Sequence, residues 1–223
     1  MIRVVAVHTA MALVEPVTEL FKEHLPEVKL NHIADDSLIQ EVISQNEVTP
    51  AVRKRLFYYY HAAEDAGASL ILNMCSSVGE VAEAGRLFVT IPILRIDEPM
   101  AVRAVKSGKK IGVLATLQTT LAPTAALLKK KAKESNRNIE IVEGLAQGAF
   151  QAMMAGDRDR HDKLIMEACE KLKSKVDLFV LAQGSMARME KQLADKTRKP
   201  VLSSPLSGVL GVKDYLSKNK LIF

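Results

Sequence analysis

The stretches "LNMCSS", residues 72–77, and "LAQGSM", residues 181–186, stand in the same local setting. Each follows a short apolar run and leads into an amphipathic pattern, so each reads as a strand handing over to a helix. The run ahead of the first is "SLILNM" (69–74), and ahead of the second "DLFVLA" (177–182). Working outward, similar runs occur at "IRVVAV" (2–7), "VKLNHI" (28–33), "TIPILRI" (90–96), "KIGVLA" (110–115), "IEIVEG" (139–144) and "KPVLSS" (199–204), with helical patterns between them. Continuously apolar strands alternating with amphipathic helices indicate parallel sheets covered on both faces, hence an α/β fold.

The chain also repeats itself. Thr9 and Thr116 each end a first strand, Cys75 and Gly184 each follow a third, and Pro92 and Pro200 each introduce a fourth, at separations of 107, 109 and 108 residues. Three such similar spacings in matching contexts predict an internal duplication into two pseudo-symmetric lobes, each a mainly parallel sheet flanked by helices. The expected division places residues 1–98 with 207–223 in the first lobe and 99–206 in the second, the last helix ("LSGVLGVKDYLSK", 206–218) returning to the first lobe.

Ligands of open parallel sheets bind beyond the carboxyl ends of the strands. Those ends are "HTA", "NMCSS", "LATLQTT" and "LAQGSM", and the active site is expected in the cleft between the lobes. Small hydroxyl residues ahead of helices suit an anion such as a carboxylate, through backbone N–H groups and side-chain hydroxyls. No GxGxxG or GxxxxGK[ST] loop is present, so neither the dinucleotide fingerprint nor the P-loop applies.

Of the two cysteines, Cys169 lies in "DKLIMEACEKLKSKV" (162–176) at helical apolar spacing and reads as core. Cys75 can be read as a buried apolar thiol, but its place between an apolar strand and a helix start favours a reactive one, because a helix N-terminus stabilises the thiolate. His8 ends the first strand beside Thr9 and is read either as a polar contact to substrate or as a satisfied structural histidine. His161 is expected to cap or lie on the surface, and "YYY" (58–60) to make core or subunit contacts.

Two cysteines without a CxxC spacing argue for reduced thiols rather than a disulfide framework, and no metal site is indicated. The net charge of +5 combines 31 basic with 26 acidic residues, and no nucleic-acid motif accompanies the basic run at 127–137. That run reads as the solvated end of a helix, and no nucleic-acid partner is expected. No stretch approaches the roughly eighteen apolar residues of a membrane span and the N-terminus lacks signal-peptide character, so a cytoplasmic protein without a membrane partner is expected.

Taken together, "NMCSS", "GVLATLQTT", "GDRDRHDKLI" (156–165) and "VLAQGSM" resemble the aspartate/glutamate/hydantoin racemase superfamily over nearly the whole chain. The superfamily includes cofactor-independent amino-acid and hydantoin racemases, maleate isomerases and arylmalonate decarboxylases. The resemblance implies a small carboxylate substrate, no cofactor, a homo-oligomer, for which the Leu56–Tyr60 cluster offers a contact, and one catalytic thiol in each lobe. The first thiol matches Cys75. The second falls at Gly184, which has no side chain to carry a proton, and the Ser185 hydroxyl is a poor acid without an adjacent base.

The remaining site implied by the resemblance comprises His8, Thr9, Asn73, Ser76, Ser77, Thr116, Thr119, Thr120, Gly184, Ser185 and Met186 as substrate-binding positions. The implied function is a cofactor-independent racemase or isomerase-like enzyme acting next to a carboxylate, with one of the two usual thiols. The alternatives are a single-thiol decarboxylase or lyase of a malonate-like or keto acid, and a non-catalytic binder of a small acid.

Overall fold

The computed structural model describes residues 2–222. Contacts divide the chain into two units, one running to Glu98 and resuming at Pro205, the other Pro99–Ser204. The first unit contains β1 (Arg3–His8), α1 (Val14–His24), β2 (Lys29–Ala34), α2 (Ser37–Gln45), α3 (Pro50–Asp65), β3 (Leu70–Asn73), α4 (Gly79–Gly85) and β4 (Ile93–Arg95). Helix α5 (Glu98–Ser107) leads into the second unit, with β5 (Lys110–Ala115), α6 (Gln118–Glu134), β6 (Glu140–Leu145), α7 (Ala149–Met154), α8 (Arg158–Leu172), β7 (Leu178–Leu181), α9 (Glu190–Thr197) and β8 (Val201–Leu202). Helix α10 (Ser204–Lys218) then returns to the first unit.

Each unit is an α/β sandwich around a wholly parallel four-stranded sheet, ordered β2-β1-β3-β4 in one and β6-β5-β7-β8 in the other. Alternation of side chains along a strand explains how a run of apolar residues covers both faces. In the first unit Val5, Val7, Ile71 and Ile93 pack with Leu38, Val42, Val52, Leu56 and Tyr60. On the opposite face Val4, Ala6, Leu70 and Leu72 meet Val17 and Phe21 of α1 and Val209, Val212 and Leu216 of α10. In the second unit Ile111, Val113, Leu178 and Val180 pack with α5 and α6, and Leu114, Phe179 and Leu181 with α8 and α9.

Local chemistry starts and seats these helices. The Thr49 side chain accepts from Val52 N ahead of Pro50, and Asp157 accepts from Arg160 N ahead of α8, each satisfying a helix-end donor. Gly208 lets α10 lie against the end of β4, since a Cβ there would collide with the side chain and carbonyl of Ile96. Among the described residues no helix is long and apolar enough to cross a membrane.

Candidate functional site

At the carboxyl edge of the first sheet, β3 ends at Asn73, and Met74 N donates to Val7 O at 3.0 Å. Cys75 follows in extended conformation (φ −126°, ψ 123°) and heads a 3-10 turn, Ser76–Val78, that runs on into α4. Its thiol is free and the residue half-buried, whereas Cys169 is fully buried, with burial pushing its thiol up to about 12. The second cysteine is thus an inert core residue.

The segment carrying Cys75 is held from below. Tyr60 of α3 donates its hydroxyl to Asn73 Oδ1 at 3.1 Å, and Asn73 Nδ2 donates to Cys75 O at 2.9 Å. Burial, and secondly the adjoining Cys75, push the Tyr60 phenol above its ordinary range, so it stays a donor. Beside it Arg95 is almost completely enclosed, yet donates from Nε and Nη2 to the two carboxylate oxygens of buried Asp97 at 3.0 and 2.9 Å and from Nη1 to Glu83 at 2.8 Å. Gly79, four residues after Cys75, leaves the room this guanidinium fills, because a Cβ there would strike it.

His8, the last residue of β1, is 1% exposed. Its Nε2 lies 2.9 Å from His32 Nδ1, and His32 Nε2 lies 3.0 Å from Thr18 Oγ1. Burial, then the neighbouring His32, lower His8 to about 4, so it is neutral at physiological pH. Thr9, Ser76 and Ser77, at the same sheet edge, are also buried.

The second sheet repeats the backbone and changes the chemistry. Pairing sets Val7 against Asn73 in one sheet and Leu114 against Leu181 in the other. Ala182 N donates to Leu114 O at 2.9 Å as Met74 N does to Val7 O. The next residue, Gln183, is extended (φ −122°, ψ 132°) and heads the 3-10 turn Gly184–Met189. Register, hydrogen bonding, dihedrals and position at the turn therefore match Cys75 with Gln183, one residue before the Gly184 that the sequence spacing selects. Spacing alone cannot place a residue to within one position, whereas the parallel ladder does.

Gln183 is turned toward the strand end next to it. Its Oε1 accepts from Thr116 N at 2.7 Å and its Nε2 donates to Thr116 Oγ1 at 2.7 Å. Thr119 and Thr120 stand in the first turn of α6. Ser185 is exposed, and Gly184 is partly buried. Met186 is fully buried in the core with Leu181, Met189 and Leu193, so it supports the turn from beneath and has no surface for a substrate.

His161, expected at a cap or on the surface, is 2% exposed, because Asp157 already caps α8. Its Nδ1 donates to Asp162 Oδ1 at 2.7 Å, and Arg188 grips the same carboxylate from the 184–189 turn, at 2.6 Å to Oδ2. Arg188 also helps line an open groove of about 760 Å³ with Met166, Lys191, Gln192, Asp195 and Lys196.

Among the described residues three buried side-chain N or O atoms lack a hydrogen-bond partner: His8 Nδ1, Thr119 Oγ1 and Glu170 Oε1. Proteins rarely leave such atoms unpaired, so exceptions point to strain or to a missing ligand. Two of the three fall at carboxyl-edge positions singled out from the sequence. Tyr60 was expected only as a core or subunit contact, and Arg95, Asp97, Thr18, Gln183 and the partner of His32 carry no signal in the sequence, since their roles depend on partners brought together by register and helix packing.

The family model described as Asp/Glu/Hydantoin racemase matches residues 2–210. No curated protein matches the chain by sequence. Among solved structures, a glutamate racemase from Bacillus anthracis is similar at 14% identity and a TM-score of 0.77, over 98% of this chain and 82% of that one. An allantoin racemase from Klebsiella pneumoniae is similar at 16% identity and a TM-score of 0.71, covering 98% and 89%. An aspartate racemase from Picrophilus torridus is similar at 15% identity and a TM-score of 0.71, covering 93% and 91%. At these identities the likeness establishes the shared fold.

Proposed function

The chain belongs to the Asp/Glu/hydantoin racemase family, and we propose that it is a cofactor-independent isomerase-type enzyme that moves a proton at the carbon next to the carboxylate of a small acid, with Cys75 as its one catalytic thiol. The observation that carries this reading is a free, half-buried thiol at the carboxyl edge of a parallel sheet, the edge at which β1 also ends in a histidine with an unsatisfied nitrogen. The other cysteine is sealed in the core.

Removing a proton beside a carboxylate places charge on that carboxylate, and donors already aimed at it lower the barrier. At the edge of the first unit that carries Cys75, the hydroxyls of Thr9 and Ser76 would provide such donors. Asn73 steadies the thiol segment through the Cys75 carbonyl. Inversion by two thiols requires an acid on each face of the planar intermediate. Gln183, where a second thiol would stand, carries a neutral amide that neither gains nor loses a proton at physiological pH.

Solvent exchange tests the reading. In D2O, one or more members of a panel of small amino acids, hydroxy acids and hydantoins should take up deuterium at the carbon beside the carboxyl or carbonyl group, and Cys75→Ala should abolish it. Exchange that survives in Cys75→Ala removes the thiol from the chemistry. The Gln183 amide favours a second reading, a single-thiol decarboxylase or lyase, because loss of carbon dioxide generates the carbanion without a base and needs one proton donor. Carbon dioxide release from malonates or β-keto acids, with no exchange in the first panel, would decide for it. Ligand stabilisation that persists in Cys75→Ala, with no turnover of either kind, would leave a small-acid binder.

A further inference from the structure

His8 is read most sharply by following its hydrogens. A carbonyl only accepts, so at 2.7 Å the Thr18 hydroxyl donates its one hydrogen to Val14 O, the helix-internal bond common for threonine. Toward His32 Nε2 at 3.0 Å that hydroxyl can then only accept, so His32 Nε2 carries the proton. Burial keeps His32 below its ordinary range and favours its neutral form, so its Nδ1 is bare and accepts from His8 Nε2 at 2.9 Å. The proton of neutral His8 is thereby fixed on Nε2. His8 Nδ1 is left a lone pair, buried and unpartnered.

The geometry points to His8 as a fixed-tautomer acceptor, set by His32 and Thr18, whose unpartnered lone pair is satisfied by an N–H or O–H of the bound acid. This rests on the reading that the carboxyl edge of the first unit binds a small acid, and it narrows the class of that acid. A bare imidazole nitrogen offers nothing to a carboxylate, which is itself an acceptor. It selects an acid carrying a hydrogen-bond donor near the carboxyl group: an amino, ureido or hydroxy acid rather than an unsubstituted diacid. No comparable arrangement exists in the second unit, where the register places Ala115 at the position of His8.

The test uses 15N NMR of the histidine rings in the intact protein and three probes with one carbon skeleton: aspartate, malate and succinate. In the free protein His8 should show a bare Nδ1 and a protonated Nε2. Aspartate or malate should move the Nδ1 resonance and bind at least about tenfold more tightly than succinate, the discrimination expected of one unsatisfied buried hydrogen bond. Thr18→Val removes the acceptor that orders the relay, and should randomise the His8 tautomer and erase the preference.

A proton found on His8 Nδ1, succinate binding as well as malate, or an Nδ1 resonance that no probe moves would each overturn the inference. Cys75-dependent deuterium exchange is measured on the same samples. Loss of the His8 result with exchange intact defeats only this inference, while a bare, ligand-responsive Nδ1 without exchange defeats only the proposed reaction.

Discussion

The two sheets share strand order and register, and differ at their carboxyl edges. Equating positions through the ladders sets His8 with Ala115, Asn73 with Leu181 and Cys75 with Gln183. In the same way, Leu72 paired with Leu94 and Val180 paired with Leu202 set Arg95 with Ser203. Every proton-active group in this comparison lies on the first unit, and the second offers a hydroxyl-rich turn latched by an amide. The two units thus share a scaffold and differ in the side chains that it presents at these positions. Backbone pairing tolerates many side chains, but a thiol, an imidazole or a buried guanidinium each needs its own partners.

The largest test of that asymmetry is kinetic. Cys75→Ala should lower deuterium exchange by about 10²–10⁴-fold, the usual contribution of a positioned acid or base. Gln183→Ala should cost less than about tenfold, since it removes the amide's hydrogen bonds to Thr116 and no group that transfers a proton. Equal losses would break the comparison. Gln183→Cys sharpens it further: a thiol placed at the matched position should add inversion to exchange, detected by polarimetry or chiral chromatography. Gly184→Cys should not. The opposite outcome would return the equivalence to the sequence spacing.

The next effect is on stability. Arg95→Met leaves Asp97, 1% exposed, as an uncompensated buried charge, and breaking such a pair costs about 3–5 kcal/mol. Ser203→Ala at the matched position should cost about 1 kcal/mol, since it removes the partly buried hydrogen bond to Glu190 and leaves no buried charge uncompensated. Urea denaturation measures both. A similar loss for the two would show that the buried lock does not set the first edge apart.

Proton linkage gives a slightly smaller difference. Above pH 6.5 His8 is neutral in folded and unfolded chains alike; below it the unfolded chain takes up a proton that the folded one refuses until about pH 4. Stability should therefore fall as pH drops through that window, by about 1.4 kcal/mol per unit and about 3 kcal/mol in all. His32, the titratable group facing His8, is lowered by burial and adds in the same direction. Asp35, just beyond β2, is held down to about 2 by Ser37, Tyr59 and Arg55, and stays ionised throughout. His8→Asn should flatten the profile in urea titrations between pH 4 and 7, and an unchanged slope would remove His8 from the linkage.

Much of this was legible in the sequence, and the limit is physical. Strands such as "IRVVAV" and "DLFVLA" announce a sheet buried on both faces, and Cys75 announces itself as a thiol at a strand-to-helix handover. Gln183 was hidden because a one-residue shift between half-chains leaves composition and periodicity almost unchanged, yet decides which side chain heads the turn. His32 carries no local signal either: it matters only because β2 lies beside β1 in a register that pairs it with Ala6, two residues before His8. Met186 looked like part of the turn and is core, since a 3-10 turn sends successive side chains in different directions.

The smallest effect tests whether the first edge can be made to resemble the second. Tyr60→Phe leaves Asn73 Oδ1 buried without its donor, which should cost about 1–3 kcal/mol. Asn73→Leu, which writes in the residue found at 181, strands the Tyr60 hydroxyl instead and also takes the side-chain donor from Cys75 O. Replacing both partners by apolar groups is far less costly than orphaning one, so the double variant should recover most of the Tyr60→Phe loss. It should still free the Cys75 segment, read as faster alkylation of the thiol by iodoacetamide. Stability recovered with unchanged alkylation would mean that Asn73 only satisfies Tyr60, whereas recovery with faster alkylation assigns it to holding the thiol.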